Sequence, residues 1–148
     1  MLAIAGAILG TSVGIAAASS AHTASLVATV STRSTSLGTV LVGTNGHTLY
    51  LDSADSKNKS VCRGSCATIW PALMTSGKPK AKGAAKAKDL GTIKDGSGKQ
   101  VTYNGHPLYY YASGGAGQTA GQDQNGFYVV SPSGSAITKK PPSTTPGY

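Results

Sequence analysis

A short segment of this chain occurs twice, and that repetition limits the folds the chain can adopt. The residues NGHTLYL at 45–51 return as NGHPLYY at 104–110, with five of the seven positions identical. Each copy opens with Asn-Gly, a strong signal for a tight turn between two antiparallel strands. Two copies of one hairpin unit predict a small all-β domain, mainly antiparallel, built from two related β-hairpin repeats.

Further strand and turn signals surround both copies. The run LGTV at 37–40 resembles LGTI at 90–93, and Asp95-Gly96 indicates another turn. Apolar and aromatic residues predict strands at 100–103, 107–111 and 127–130. One short helical turn is predicted near Cys66–Trp70, where Pro71 ends it.

The segment VCRGSCATIWPAL at 61–73 holds both cysteines and the one tryptophan of the chain. In an oxidising compartment Cys62 and Cys66 would form a disulfide, and Gly64 would let the backbone turn between them. The chain-entropy model gives a loop this small roughly 2 kcal/mol of stabilisation. Trp70 would lie on the same face of a helical turn as Cys66, cover the disulfide and dock on the sheet. This interpretation makes the pair a structural clip and requires no cofactor.

Metal binding or thiol redox chemistry is the alternative for the same cysteines. Two thiolates with an imidazole suit Cu(I), and the candidate ligands are Cys62, Cys66, His47 and His106. A zinc site would need about four ligands, which these residues could also supply. Both histidines, however, follow Asn-Gly in the turns of separate copies, which favours an ordinary turn residue in each case.

The ends of the chain differ in composition from its centre. Residues 1–21 are apolar and small, which predicts a secretory signal, with an uncleaved membrane anchor as the weaker alternative. The expected organisation is a Ser/Thr-rich linker at 22–36, a β domain at 37–134 and a disordered tail at 135–148. A mature form without a transmembrane span, secreted or associated with the cell wall, is the expected product.

The charge of the chain is strongly basic. Thirteen Lys and Arg against five acidic residues, all of them Asp, give a formal net charge of +8. Five of these cations stand in one segment, which we expect to be an exposed, mobile loop: Lys78, Lys80, Lys82, Lys86 and Lys88. Such a loop could bind an anionic cell-wall polymer, or it could serve only solubility. No specific nucleic-acid partner is predicted.

The tyrosines of the second copy offer another candidate surface. Along a strand, Tyr109 and Tyr111 would share one face and Tyr110 would take the other. Core packing is the ordinary role for both faces. An exposed Tyr110 could instead stack on a sugar ring or contact a protein partner.

The chain resembles a bacterial secreted-repeat family of predicted lipoproteins with a Tyr-x4-Asp motif. The resemblance lies in Tyr50 and Asp55 of LYLDSAD, in CRGSCA at 62–67 followed by Trp70-Pro71, and in the second-copy segments QVTYNGHPLYYY and FYVVSPSG. It implies an extracytoplasmic, repeated β module without an established activity. The second copy departs from the motif, because Gly114 stands five residues after Tyr109. The lipid-attachment cysteine of lipoprotein members is also missing.

Catalytic motifs are absent from the sequence. There is no Gly-x-Ser-x-Gly elbow, no His-Glu-x-x-His helix, no phosphate-binding loop and no glutamate for acid–base work. The first hypothesis is therefore a non-enzymatic binding or structural protein, secreted or in the envelope, whose partner is an anionic polymer or another envelope protein. A copper-binding or thiol-redox protein is the alternative.

Overall fold

The computed structural model describes residues 26–142, and within them it confirms a small all-β domain. The strands are β1 (Thr29–Thr35), β2 (Gly38–Val42), β3 (Tyr50–Asp52), β4 (Met74–Thr75), β5 (Lys80–Ala81), β6 (Leu90–Asp95), β7 (Gly98–Tyr103), β8 (His106–Pro107) and β9 (Phe127–Val129). A single α-helical turn, α1 (Ser65–Ile69), and a 3-10 turn at Ala87–Asp89 complete the described part. The predicted signal at 1–21 lies outside the described residues.

Two antiparallel hairpins, β1–β2 and β6–β7, occupy equivalent places in the two copies. The turn between β6 and β7 has two residues and begins at Gly96, whose φ of 58° suits glycine. The strand β1 lies inside the segment expected to be a linker. Its β-branched residues favour an extended backbone, and Val30 is fully buried, so this part of the segment packs with the domain.

The two copies exchange strands rather than folding side by side. Strand β3 of the first copy pairs with β9, with Tyr50 opposite Val129, and Tyr109 of the second copy pairs with Ala72. Tyr50 and Tyr109 also bond each other, through N···O distances of 2.8 and 2.9 Å in the two directions. Because equivalent residues form this reciprocal pair, the copies are related by an approximate twofold axis that passes between the two tyrosines.

Backbone hydrogen bonds elsewhere follow the same symmetry. The Leu41 amide donates to the Val130 carbonyl, and the Val101 amide donates to the Leu73 carbonyl, both at 2.8 Å. Each copy therefore supplies a carbonyl to the hairpin of the other copy, from equivalent positions. Neither copy forms a closed unit without the strands of the other.

Buried side chains form two clusters on either side of the exchanged strands. The first consists of Ala28, Val30, Leu41, Leu49, Leu51, Leu73, Val101, Tyr103, Leu108 and Val130. The second, which we call the aromatic cluster, consists of Leu37, Val40, Val42, Tyr50, Cys62, Trp70, Tyr109, Phe127 and Val129. As the alternation along a strand predicts, Tyr109 and Tyr111 pack in the aromatic cluster, whereas Tyr110 packs against the first cluster.

The lysine-rich segment and the tail are more ordered than the sequence indicates. Strand β5 pairs in parallel with Thr29 and Val30 of β1, and the Lys86 amide donates to the Tyr103 hydroxyl at 2.9 Å. The segment 78–88 is therefore bonded to the domain at 80–81 and at Lys86. After residue 135, the Ile137 amide donates to the Val129 carbonyl at 2.9 Å, so the start of the expected tail belongs to the domain.

Candidate functional site

A disulfide between Cys62 and Cys66 is present, as the sequence predicts, and closes a tight loop with a Cα–Cα distance of 5.3 Å. Gly64 precedes α1 with a φ of 61°, a conformation that glycine adopts without strain. The helix has five residues and no side-chain cap, so it cannot be stable alone. The disulfide and the packing of Trp70 therefore hold this turn in place.

Trp70 is the largest side chain of the aromatic cluster, with 1% of its surface exposed. Its ring stacks on Phe127, with the centroids 3.9 Å apart and the planes at 2°. Tyr50 and Tyr111 pack around it at 5.3 and 4.7 Å. Trp70 and Phe127 occupy equivalent positions of the two copies, so this stack lies on the approximate twofold axis. Pro71 follows, and its carbonyl accepts a hydrogen bond from the Tyr110 amide at 2.7 Å.

Asp55 joins the two copies through the hydroxyl of Tyr109. The Tyr109 hydroxyl donates to Asp55 Oδ2 at 2.7 Å and lies 2.6 Å from Ser60 Oγ. The other carboxylate oxygen accepts the Val61 amide at 2.7 Å, and Arg63 donates to Ser60 at 3.1 Å. A chain of donors thus runs from the guanidinium through two hydroxyls to the carboxylate.

Burial is the largest influence on the pKa values of Asp55 and Tyr109. It raises the pKa of Tyr109 far above its usual range, and the neighbouring Asp55 carboxylate raises it further. Burial also raises the pKa of Asp55, although the hydrogen bonds from Tyr109 and Val61 oppose the change. The tyrosine therefore stays protonated and acts as a donor.

Tyr50 of the first copy makes a matching contact with the second copy. Its hydroxyl accepts the backbone amide of Gly121 at 3.1 Å, from the loop of the second copy. The tyrosine of each copy thus reaches into the loop of the other, and the second loop supplies a peptide N–H where the first supplies Asp55. A Cβ on Gly121 would lie 2.8 Å from Trp70 Cη2, so only glycine fits there.

The Asp55–Tyr109 contact gives a testable prediction about how the copies are joined. Asp55→Ala and Tyr109→Phe each leave a buried or half-buried polar group without its partner, which should cost about 1–3 kcal/mol of unfolding free energy. Because both changes break the same link, the double variant should cost less than the sum by about 1 kcal/mol or more. Urea unfolding of the four proteins measures this.

Asp55→Asn is the matched control for that cycle. Its amide oxygen can still accept from Val61, and its NH₂ can donate to Tyr109, whose own hydrogen then turns to Ser60. We therefore expect this variant to lose less than about 1 kcal/mol. Strict additivity of Asp55→Ala and Tyr109→Phe would contradict a direct link between the copies.

The alternative metal site finds no support in the described residues. Cys62 and Cys66 are bonded to each other, and residues 26–142 contain no group of three or more His, Cys, Asp or Glu that could hold a metal ion. The His47 amide is bonded to the Asn45 side chain in its turn at 3.0 Å, and the ring packs edge-on against Tyr110. His106 lies in β8, opposite Tyr103.

The structure separates the candidate binding residues into exposed lysines and a half-buried tyrosine. All five lysines of the segment 78–88 are exposed. Tyr110 is not a free stacking platform, because its hydroxyl lies against Gly43 and its ring is partly buried against the first cluster. Tyr110 also lines an open groove of about 280 Å³, together with Leu26 and Met74.

These features define a small β domain of two interleaved copies, clipped by one disulfide in the first. A family described as a secreted repeat of unknown function matches residues 31–74. The match runs from β1 to the first residue of β4, and is consistent with an extracellular or envelope-associated protein. The second copy lies beyond the matched residues. No curated protein and no solved structure matches the chain.

Within residues 26–142, the structure contains no helix whose length and apolar character would suit a membrane span.

Proposed function

We propose that this chain is a non-enzymatic extracellular or envelope protein that binds an anionic cell-wall polymer through its lysine-rich segment. The observation that carries the proposal is the presentation of five exposed lysines, at 78, 80, 82, 86 and 88, just before β5, along it and in the turns that follow. The secreted description of the matching family supports the compartment.

The backbone of this segment is held in place, and its charges are left available. The amides of Lys80 and Lys82 donate to the carbonyls of Ala28 and Val30, each at 2.9 Å. Alternate residues of an extended strand point the same way, so these two lysines project on one side about 6.5–7 Å apart. Within residues 26–142 the one ion pair is Arg63 with Asp95, at 3.7 Å, and none of the five lysines takes part in one.

Fixed positive charges lose less entropy on binding than charges on a mobile loop. A polyanion can therefore lie along the segment and release its condensed counterions, which makes affinity fall with salt. No catalytic group is required for this role. The alternative role in copper or thiol chemistry would need the Cys62–Cys66 bond to open.

Salt-dependent retention on a polyanion tests the proposal. The variant Lys82→Gln, Lys86→Gln, Lys88→Gln should lose at least about tenfold in affinity for teichoic acid. The slope of log affinity against log salt concentration should become shallower by about 1 for each lysine that contacts the polymer. Fluorescence anisotropy with labelled polymer over a salt series measures both quantities.

A variant of equal charge is the control. Lys57→Gln, Lys59→Gln, Lys139→Gln removes three lysines outside the segment and should change the affinity by less than about threefold, because these cations do not line the proposed surface. Equal losses in the two triple variants would mean that only net charge matters, and would overturn the proposed site.

A further inference from the structure

Strand β6 is an edge strand whose outer side is open, whereas its counterpart β1 is paired on that side at its first two residues. Both strands open the hairpin of their copy, yet β5 pairs with the outer edge of β1 at Thr29 and Val30. Strand β6 has six residues and pairs with β7 alone among the described strands. The chain after β9 does not cover it, because Ala136 pairs with Val130 instead.

The free backbone groups of β6 can be assigned from its turn. A two-residue turn makes Asp95 and Gly98 a hydrogen-bonded pair, and the bonding side alternates along the strand from there. Ile93 and Gly91 therefore bond to β7, while the amides and carbonyls of Thr92 and Lys94 face outwards. No backbone bond from elsewhere in residues 26–142 reaches these outward groups.

The charge beside this edge is net positive, because the one carboxylate of β6, Asp95, is already paired with Arg63 at 3.7 Å. Lys94 of β6 lies directly opposite Lys99 of β7, and like charges in that arrangement destabilise a sheet. Neither lysine forms an ion pair within residues 26–142. An adjoining groove of about 290 Å³ contains Lys99 and Lys78 with Leu90 and Thr92. An acidic side chain next to Lys94 would relieve this repulsion.

We propose that β6 binds an extended acidic segment of a partner protein, which adds to the sheet as a further strand. The first copy offers a partial precedent, because a short extended segment already pairs with the start of β1, at Thr29 and Val30. Charge favours an acidic partner over a second copy of this chain. A second copy carries a net charge of +8 and would be repelled, whereas an acidic strand is attracted. This surface is separate from the lysines at 82, 86 and 88.

Peptide binding to the wild-type protein is the first test. The probe is a labelled peptide of alternating glutamate and valine, compared with the same peptide N-methylated at every second residue. The N-methylated form keeps the charge but cannot complete the ladder of hydrogen bonds, and should bind at least about tenfold more weakly. Equal affinities would mean attraction by charge alone and would overturn the proposal.

Variants of the edge and amide exchange give independent readouts. Thr92→Pro removes one outward amide, which an edge strand tolerates, and should weaken the peptide at least about tenfold. Lys94→Glu should weaken it as well, without any backbone change. Peptide should slow hydrogen exchange at the Thr92 and Lys94 amides. Protection of these amides in the free protein, or a dimer that Thr92→Pro dissociates, would show another occupant and overturn the proposal.

The lysine triple variant separates this proposal from the polymer-binding function. Lys82→Gln, Lys86→Gln, Lys88→Gln should keep its affinity for the acidic peptide within about threefold, because these residues do not line β6. A parallel loss of peptide and polymer would indicate non-specific attraction and overturn the strand-addition site. Loss of polymer binding alone would leave it standing.

Discussion

Replacing Trp70 by alanine should lower the unfolding free energy by about 3–5 kcal/mol, the cost of removing a large buried aromatic side chain. The ring lies on the approximate twofold axis and stacks on Phe127 at 3.9 Å, so its loss opens the aromatic cluster of both copies together. Small domains have a total stability of only about 5–15 kcal/mol, and this variant should unfold at a much lower urea concentration. Equilibrium urea unfolding followed by circular dichroism measures it.

Two controls test whether the loss of stability comes from removing the ring of Trp70. One keeps an aromatic ring at that position, and the other truncates an exposed neighbour. Trp70→Phe keeps an aromatic ring on Phe127, and the indole Nε1 has no hydrogen-bond partner in the described residues, so the loss should be about 1–2 kcal/mol. Ile69→Ala removes a neighbouring side chain that is 44% exposed, and should cost less than about 1 kcal/mol. Equal losses at Ile69 and Trp70 would contradict a central role for the stack.

Removing the disulfide with Cys62→Ser, Cys66→Ser should cost about 2 kcal/mol, the value the chain-entropy model gives for a five-residue loop. The loss should appear as a lower urea midpoint with an unchanged slope, because the amount of surface buried on folding stays the same. Ser60, Val61 and Arg63, which lie beside the clip, position the Tyr109–Asp55 link, so loosening the turn should weaken that link too.

Reductant provides the internal control for the disulfide prediction. Dithiothreitol should lower the stability of the wild-type protein to that of the double serine variant, and should leave the variant itself unchanged. A wild-type protein whose midpoint does not respond to full reduction would contradict a stabilising clip.

Local signals in the sequence were sufficient for the hairpins, the disulfide and the faces of the tyrosines. Asn-Gly and Asp-Gly turns, the short Cys-x3-Cys spacing and the alternation at Tyr109–Tyr111 each depend on residues close together in the chain. The bounds of β1 could not be predicted, because its Ser and Thr residues are as common in linkers as in strands. Its strand character depends on distant partners, β2 and β5.

Contacts between distant segments could not be derived from the sequence. Lysine and alanine at 78–88 have no strand propensity, and β5 exists because the edge of β1 offers backbone groups to bind. Within its own loop, Asp55 accepts the Val61 amide. Its bond to Tyr109 depends on the exchange of strands between the copies, which hairpin signals do not specify.

The exchange of strands also determines when this chain can fold. Strand β3 at 50–52 pairs with residues 127–129, and Tyr50 also pairs with Tyr109. These pairings join segments that are far apart in the sequence. Folding is slow when long loops must close, because their entropy is lost before the distant contacts form. An emerging chain can form its first hairpin early, but it should remain open and sensitive to proteases until β9 arrives.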